Sequence, residues 1–345
     1  MERLADFIND GDLNAEMIHL ESEHSALSAA IGASATGSRT FTASSSQGLA
    51  LMHEMLHITS GMRLPVVMAI ANRALSAPIN IWCDHQDSIS QRDTGWIQLY
   101  AESTQEAFDT TLQAFKIAET KEVSLPIMVC IDGFQLSHVY EPADILEQEQ
   151  VDKFLPKFEP EHILDPNNPK TFGPIGYPNV YMDIKKEEQD AMISSIKVIK
   201  RVHDEFAKMF GRKYGNGLLE CYKCTDAKQI VVAMGTVAGT ARVVVDKLRK
   251  EGKKVGLVKL KCYRPFPDAE IIKALGKAAE VAVLDRAVSY GLKLGPVCAD
   301  IRNVLKCGKP IIKSYIVGLG GRDVTEQKIE YAIKNISKGD VEWLV

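Results

Sequence analysis

Short apolar runs alternate with amphipathic segments along the N-terminal part of the chain. The runs that predict strands cover residues 17–21, 39–43, 64–71 and 125–132. Helical spacing of apolar positions lies between them, notably over residues 48–59 and 105–118, and Ser103 and Thr104 are candidate N-caps of the second helix. Strands that alternate with helices in this way predict a parallel sheet covered on both faces.

The pattern is interrupted in the middle of the chain and then resumes. Residues 157–179 are rich in Pro, Asn and Gly and predict a connecting segment on the surface, and a polar helix follows over roughly residues 184–210, with Gly211 near its end. After Glu220, predicted strands cover residues 229–234, 255–260, 281–284 and 311–317, and predicted helices cover 240–251, 268–275, 296–305 and 325–336. The predicted fold class is therefore α/β, with two doubly wound parallel-sheet domains at residues 1–155 and 216–345, joined by a connecting segment and helix at 156–215.

The composition narrows the class of protein. A chain of 345 residues, 46% hydrophobic and 25% charged, is long enough for two globular domains. Its formal net charge of −4 argues against nucleic-acid binding, which usually needs a basic face. No apolar stretch approaches the ~20 residues that span a bilayer. Seven cysteines, scattered and odd in number, fit a reducing compartment better than a disulfide framework, so we expect a cytoplasmic protein.

Acidic residues lie where the first predicted strand leads into a helix rich in Ala, Gly and Ser. We place Glu21 at the end of the strand and Glu23 at the junction with the helix. Ligands of open α/β sheets bind outside the carboxyl ends of strands, so Glu23 is a candidate catalytic acid. The alternative is a structural glutamate that stabilises the helix N-terminus through the macrodipole, and the residues alone favour this alternative.

Two further polar positions follow predicted strands. Arg73 ends an apolar run, where a guanidinium suits either the carboxylate of a small acid or a salt bridge. Residues 44–48 read SSSQG and lie between a strand and a helix. Their hydroxyls and amides can bind phosphate or simply cap the helix.

Several motifs in a fixed order resemble those of one enzyme family. They are ESEHSA at 21–26, RTFTASSSQGLALMHEML at 39–56, NRALSAP at 72–78, RDTGWIQ at 92–98 and GLGGRDVT at 318–325. Together they resemble the alpha subunits of pyruvate:ferredoxin oxidoreductases, which belong to the 2-oxoacid:ferredoxin oxidoreductase group, and the similarity runs from end to end. Subunits of this family usually begin some tens of residues earlier, with a stretch like YPITP and a Ser or Thr. We therefore expect a first strand and a substrate contact to lie in a segment absent here.

This resemblance implies a thiamine-diphosphate enzyme. Residues 1–155 would bind the aminopyrimidine ring, and residues 216–345 would resemble the C-terminal domain of transketolase. Glu23 would be the catalytic glutamate that hydrogen-bonds the ring nitrogen N1′, held in an apolar site in a cleft that this chain only half encloses. Arg73 would bind the substrate carboxylate, and Ser46 and Gln47 would line the pyrimidine pocket, although helix capping explains these two equally well.

The resemblance also implies partners. Beta, gamma and delta-type subunits would hold the diphosphate, its Mg²⁺ and the iron–sulfur clusters, while ferredoxin and coenzyme A would take part as co-substrates, and no metal is expected in this chain. Pyruvate is the expected substrate, and 2-oxoglutarate, a branched-chain 2-oxoacid and oxalate are the alternatives. A non-catalytic structural subunit is a further alternative.

Two motifs suggest metal or redox chemistry of another kind. HEMLH at residues 53–57 matches the HExxH signature of zinc proteases, which makes a zinc hydrolase a remote alternative. Apolar residues on nearly all sides of this helix predict instead that it is buried between layers. Cys221 and Cys224 have the spacing of half a zinc site or of a redox pair, but we expect two ordinary thiols in a linker.

Polar and glycine-rich turns have open interpretations. The stretches at residues 84–87 and 92–96 either contact a ligand or partner, or form solvated turns with internal ion pairs. The run at residues 318–325 either forms an anion-binding nest or, as we expect, a tight strand-to-helix turn capped by Asp323 or Thr325.

Overall fold

The computed structural model describes residues 2–305 and 310–345. The N-terminal part contains α1 (Glu2–Asn9), α2 (Glu23–Ala35), β1 (Phe41–Ser44), α3 (Ser46–Leu51), α4 (His53–Gly61), β2 (Val67–Asn72), α5 (Gln86–Ile89), β3 (Ile97–Tyr100), α6 (Thr104–Ala118), β4 (Ile127–Asp132), α7 (Gln148–Phe154) and α8 (Pro178–Phe210). The C-terminal part contains β5 (Leu219–Tyr222), β6 (Gln229–Ala233), α9 (Val237–Lys250), β7 (Val255–Leu260), β8 (Cys262–Arg264), α10 (Asp268–Leu275), β9 (Glu280–Asp285), α11 (Pro296–Leu305), β10 (Ile311–Ile316), α12 (Glu326–Lys334) and β11 (Val341–Trp343).

The first sheet has the strand order β1-β2-β4-β3-β8. Its first four strands are parallel, and β8 pairs antiparallel with β3. All residues of β3 are buried, as are all but one of β4. Strands that are covered on both faces carry continuous apolar runs rather than alternating ones, which is why the apolar runs of the sequence located β2 and β4.

The second sheet has the strand order β11-β10-β9-β6-β7-β5. It is parallel except for β5, which pairs antiparallel with β7 at one edge. All residues of β7 are buried between helices on the two faces. The predicted fold class, two largely parallel sheets covered by helices, is therefore confirmed.

The predicted strand at residues 17–21 is wrong. This segment has no regular secondary structure, and Ile18 and Leu20 are 68% and 41% exposed. A run of apolar residues becomes a strand only by pairing, and none of its backbone groups pairs with a strand of the described residues. Glu21 consequently lies in a bend rather than at a strand end, and its carboxylate accepts a hydrogen bond from Ser25 Oγ.

The predicted helices are largely present, with shifted ends. Helix α6 begins after Ser103, whose Oγ accepts a hydrogen bond from the backbone N–H of Glu106 at 3.2 Å, as expected of an N-cap. The predicted helix at 48–59 is two helices, α3 and α4, which meet at Met52. The long helix α8 starts earlier than predicted, at Pro178, and ends at Gly211, which has a left-handed φ of 73°.

The two sheets share a core and are joined by buried ion pairs. One cluster of buried apolar side chains includes Leu27 and Met68 from the first part and Ile230 and Val283 from the second. Strand β8 comes from the C-terminal part of the chain yet completes the first sheet. The domain limits 1–155, 156–215 and 216–345 stay a prediction. Within the described ranges, no helix is long and apolar enough to cross a membrane.

Candidate active site

The candidate site lies at the carboxyl ends of β1 and β2, where two loops run side by side. Ser44 ends β1 and Asn72 ends β2, and the two strands are adjacent and parallel. Ser45 Oγ, in the first loop, donates a hydrogen bond of 2.8 Å to the carbonyl of Ala71 at the end of β2. The loop that carries residues 44–48 is thereby tied to the loop that carries Arg73.

Glu23 reaches this edge of the sheet from the start of α2. Ser22 caps the helix, because its Oγ accepts a hydrogen bond of 3.2 Å from the backbone N–H of Ser25. The side chain of Glu23 then lies against Gly48 in α3: a Cβ atom on Gly48 would be 2.8 Å from both Cγ and Oε1 of Glu23 and 2.7 Å from Ser44 Oγ. The missing side chain at position 48 leaves the space that the Glu23 carboxylate occupies.

Glu23 is exposed rather than enclosed within this chain. Its carboxylate has the β1–α3 loop on one side and no wall from the described residues on the other. The predicted apolar enclosure is therefore not supplied by this chain, and the half-enclosed cleft stays a prediction.

Three buried polar atoms at this edge have no hydrogen-bond partner among the described residues. They are Ser44 Oγ, Asn72 Oδ1 and Arg73 Nε. A buried polar atom without a partner costs about 1–3 kcal/mol, so such atoms are rare in structures and are candidate contacts for a ligand or an ordered water. Arg73 also forms no salt bridge with a described residue, which leaves its guanidinium available to an anion.

A buried aspartate that the sequence did not single out holds the two loops together. Oδ2 of Asp87 accepts hydrogen bonds from the backbone N–H groups of Ser46 and Arg73, at 2.9 and 3.0 Å, and Oδ1 accepts one of 2.7 Å from Asn72 Nδ2. Burial raises the pKa of Asp87 to about 6, although these hydrogen bonds act in the opposite direction. The stretch at residues 84–87 is thus largely buried and holds the two loops together, rather than forming a solvated turn.

Ser46 and Gln47 occupy different positions in this loop. Ser46 is completely buried with a left-handed φ of 50°, and its Oγ lies 2.5 Å from the carbonyl of Ala74. Its hydroxyl therefore already has a backbone partner, which favours a structural role. Gln47 is exposed at the start of α3, and its Oε1 lies 2.5 Å from Ser46 Oγ.

The HEMLH helix is not buried between layers as predicted. His53, Glu54 and His57 are exposed on α4, while Met55 and Leu56 face the core. His53 Nδ1 lies 2.5 Å from Gln91 Oε1, and Glu54 lies 3.5 Å from His24 Nε2. In residues 2–305 and 310–345, no group of three or more His, Cys, Asp or Glu side chains is arranged to hold a metal ion.

The glycine-rich run at 318–325 forms the predicted tight turn. Oγ1 of Thr325 accepts the backbone N–H of Lys328 and caps α12. The turn also contacts the first part of the chain, since the N–H of Gly320 donates to Asp84 Oδ2 at 3.0 Å. The prediction that Cys221 lies in a linker is wrong, because this residue belongs to strand β5.

The described residues fit the pyrimidine end of thiamine diphosphate. An exposed carboxylate at Glu23, an unpartnered hydroxyl at Ser44 and a guanidinium at Arg73 lie at the same edge of the sheet. These groups can hold a protonated ring nitrogen and a small carboxylate.

Comparisons with known proteins identify the family. The model of pyruvate flavodoxin/ferredoxin oxidoreductase, thiamine-diphosphate-binding, matches residues 1–204, and that of pyruvate:ferredoxin oxidoreductase core domain II matches residues 227–329. The chain belongs to the pyruvate flavodoxin/ferredoxin oxidoreductase family. It is 53% identical to pyruvate synthase subunit PorA of Methanocaldococcus jannaschii, over 99% of this chain and 87% of that protein. The predicted family is confirmed.

Two other similarities bear on substrate and fold. The chain is 45% identical to ketoisovalerate oxidoreductase subunit VorA of Pyrococcus horikoshii, over 98% of this chain and 86% of that protein. A solved 2-oxoglutarate:ferredoxin oxidoreductase from Magnetococcus marinus superposes with a TM-score of 0.71 at 18% identity, over 97% of this chain and 59% of that chain. The second similarity concerns the fold alone.

Proposed function

We propose that this chain is the alpha subunit of a thiamine-diphosphate-dependent 2-oxoacid:ferredoxin oxidoreductase that acts on pyruvate. The reaction converts pyruvate, coenzyme A and oxidised ferredoxin into acetyl-CoA, carbon dioxide and reduced ferredoxin. The similarity to pyruvate synthase subunits over nearly the whole chain supports the reaction, and the contact between Glu23 and Gly48 is the structural observation that carries the site.

Glu23 is proposed to activate the cofactor. Bound thiamine diphosphate supplies a carbanion at its thiazolium ring and an electron sink for decarboxylation. The carboxylate of Glu23 would hold the proton at N1′ of the aminopyrimidine and favour the imino form. Its position against Gly48 fixes the carboxylate on one side, and a partner subunit would close the other side and exclude water.

Arg73 is proposed to bind the carboxylate of the 2-oxoacid. A guanidinium binds a carboxylate through two parallel hydrogen bonds, and Arg73 Nε is buried without a partner among the described residues. Asp87 would position this side chain by holding the backbone N–H of Arg73. Gln47, exposed beside the same loop, would contact the pyrimidine, while Ser46 would shape the loop from inside.

The remaining groups are assigned to partners. Beta, gamma and delta-type subunits would hold the diphosphate with Mg²⁺ and the iron–sulfur clusters, and ferredoxin would receive the electrons. The six cysteines of the described residues are free thiols spread over both parts of the chain, a distribution that fits neither a four-cysteine cluster nor an oxidising compartment. We propose a cytoplasmic complex.

The variant Glu23→Gln tests the catalytic assignment. Measured as pyruvate-dependent ferredoxin reduction by the reconstituted complex, turnover is expected to fall by about 10²–10⁴-fold, the usual contribution of general acid–base catalysis. Glu21→Gln is the matched control, because Glu21 lies two residues away, is exposed and accepts a hydrogen bond from Ser25. Unchanged turnover in Glu23→Gln would make this chain a structural subunit.

A branched-chain substrate is the second candidate, favoured by the similarity to the VorA subunit. In the native complex, a higher kcat/KM for pyruvate than for 2-oxoisovalerate supports the first proposal, and the reverse order supports the second. Arg73→Gln is expected to lower kcat/KM for both acids by about 10- to 100-fold, because it removes a charge-assisted contact to their common carboxylate. Arg201→Gln, on the exposed surface of α8, is the control.

A further inference from the structure

Two cysteines lie close together at the free edge of the second sheet. Cys221 is on β5, which pairs only with β7 in the described sheet, and Cys224 follows one short turn later. Between them, Lys223 adopts a left-handed φ of 54° that reverses the chain. Cys224 then packs onto β7, where a Cβ on Gly256 would lie only 3.1 Å from its Cα. Both side chains line the same surface cavity.

The two thiols differ in exposure and chemistry. Cys221 is exposed, whereas Cys224 is half-buried with its Sγ 3.1 Å from the carbonyl of Leu257. The neighbouring Cys224 thiol lowers the pKa of Cys221, whereas the neighbouring Cys221 together with burial raises the pKa of Cys224. An outer thiol that ionises readily beside an inner thiol that does not is the arrangement of an attacking and a resolving cysteine.

A surface cavity of about 580 Å³ opens beside the pair. This volume falls within the usual range for small-molecule sites. Lys273 and Lys277 line it, and neither has an acidic partner within salt-bridge distance among the described residues. The acidic residue on the same wall, Glu270, is neutralised by Lys200, whose Nζ lies 2.5 Å from its Oε1. The cavity therefore presents positive charge next to the exposed thiol.

We propose that Cys221 and Cys224 form a redox-active dithiol that exchanges with small, negatively charged disulfides bound in this cavity. The Cys221 thiolate attacks one sulfur of the disulfide, which forms a mixed disulfide and releases the first thiolate. Cys224 loses its proton and attacks Cys221 Sγ, which forms the Cys221–Cys224 disulfide and releases the second thiolate. The protein loses two electrons and two protons, and the small disulfide becomes two thiols. This site is separate from the one that contains Glu23.

Peptide mapping of the protein, purified without oxygen in its native assembly, tests the proposal. The protein is treated with 3,3′-dithiodipropionate, quenched with acid, alkylated and digested with trypsin. Cleavage after Lys213, Lys223 and Lys228 places the two cysteines on separate peptides, 214–223 and 224–228. We expect these peptides to be recovered as one disulfide-linked species, with Cys130 and Cys262 alkylated only after unfolding. Recovery of both as separate alkylated peptides would overturn the proposal.

Single variants assign the order of the steps. Cys224→Ser is expected to stop at the mixed disulfide on Cys221, and Cys221→Ser is expected to leave Cys224 unmodified, because that thiol is half-buried. A mixed disulfide on Cys224 in Cys221→Ser, formed as fast as that on Cys221, would refute the assigned roles. Thermal unfolding of both variants within a few degrees of the unmodified protein would show that the fold is retained.

The lysines test the class of disulfide. The double variant Lys273→Gln/Lys277→Gln is expected to react about tenfold more slowly with 3,3′-dithiodipropionate and at an unchanged rate with the neutral 2-hydroxyethyl disulfide, since surface attraction is worth about 1 kcal/mol per charge pair. Equal slowing with both probes, or with neither, would contradict the proposed preference for negative charge.

Discussion

At the scale of single residues, the position of Glu23 depends on a neighbour that has no side chain. Gly48 is a helical residue whose φ is ordinary, so alanine fits its backbone, but the added Cβ would lie 2.7–2.8 Å from Ser44 Oγ and from Cγ and Oε1 of Glu23. The flexible end of Glu23 is the group that can move. Under the proposed role of Glu23, space at residue 48 is needed for function rather than for the fold.

Gly48→Ala is expected to lower turnover of the reconstituted complex by up to about 100-fold, because displacement of a catalytic group by about 1 Å can have that effect. Thermal unfolding should change little. Gly32→Ala is the matched control. Gly32 is in α2, and a Cβ atom at this position would meet open space. The variant should keep full activity, and its free energy of unfolding should rise by up to about 1 kcal/mol. Equal activity of the two variants would show that Glu23 needs no fixed position.

Some residues of the candidate site could be suggested from the sequence and others could not. Glu23 and Arg73 were proposed because they lie in motifs whose residues carry the family resemblance, and their roles stay predictions. Asp87 was missed as a positioning residue, since a single aspartate in a polar stretch looks the same whether it is solvated or buried. Its role follows from hydrogen bonds to Ser46 and Arg73, which are separated from it by 41 and 14 positions.

At the scale of helices and strands, the sequence predicted the elements correctly where apolar runs are continuous. It failed where the formation of a strand depends on pairing with another strand. Helices α10 and α11 begin and end where the sequence pattern placed them, and β6, β7, β9 and β10 are close to prediction. The run at 17–21 has strand composition but no partner, while β8 has only a few residues and exists because β3 offers an open edge. Whether either segment forms a strand depends on a pairing partner elsewhere in the chain and not on its own residues.

A buried carboxyl group at the start of helix α11 makes the stability of the protein depend on pH. Asp285, at the end of β9, accepts the backbone N–H groups of Val297 and Cys298 at 2.8 and 3.2 Å, and burial raises its pKa to about 7. The folded protein therefore holds this proton more tightly than the unfolded chain does. The stabilisation is complete below pH ~4, where the unfolded aspartate titrates, and is lost as the pH rises through about 7.

Asp285→Asn removes this titration and keeps an acceptor oxygen for one of the two N–H groups, since these bind different carboxylate oxygens. We expect the melting temperature of the variant, relative to that of the unmodified protein, to increase between pH 5 and pH 8. Calorimetry at both values measures the difference. Asp183→Asn, an exposed substitution on α8, should show no such trend. A pH-independent difference for Asp285→Asn would mean that this carboxyl group is already ionised at pH 5.

At the scale of the whole molecule, buried charges join the two sheets. Lys259 and Lys261 on or beside β7 donate to Glu106 on α6, at 2.6 and 2.9 Å. Despite burial, which acts in the opposite direction, these two ammonium groups lower the pKa of Glu106 to about 2. The turn at 318–325 adds a second contact, because a Cβ on Gly321 would lie 2.2 Å from Trp82 Cβ. The glycines of this family motif thus allow the last turn to approach the first sheet.

A third contact between the two sheets lies beside the candidate active site and is centred on Asp132 at the end of β4. Its carboxylate accepts hydrogen bonds from Arg286 Nη1 and from His85 Nε2, both at 2.7 Å, and from the backbone N–H of Thr236 at 2.9 Å. Burial would raise the pKa of Asp132, but Arg286 and His85 outweigh it and hold the pKa below its ordinary value. His85 and Asp87 belong to the same stretch, so one segment contacts both Asp132 and the backbone of Arg73.

Arg286→Leu is expected to destabilise the protein by about 3–5 kcal/mol, because it leaves the buried carboxylate of Asp132 without its main counter-charge. Denaturant unfolding measures the loss. Adding Asp132→Asn should recover part of it, since the amide carries no charge and still accepts the N–H of Thr236. Lys186→Leu breaks an exposed ion pair with Asp190 and should change stability little. If Arg286→Leu were as mild as Lys186→Leu, the ion pair would not hold the two sheets together. The contacts of His85 and Thr236 would then suffice to keep the segment that carries Asp87 in place.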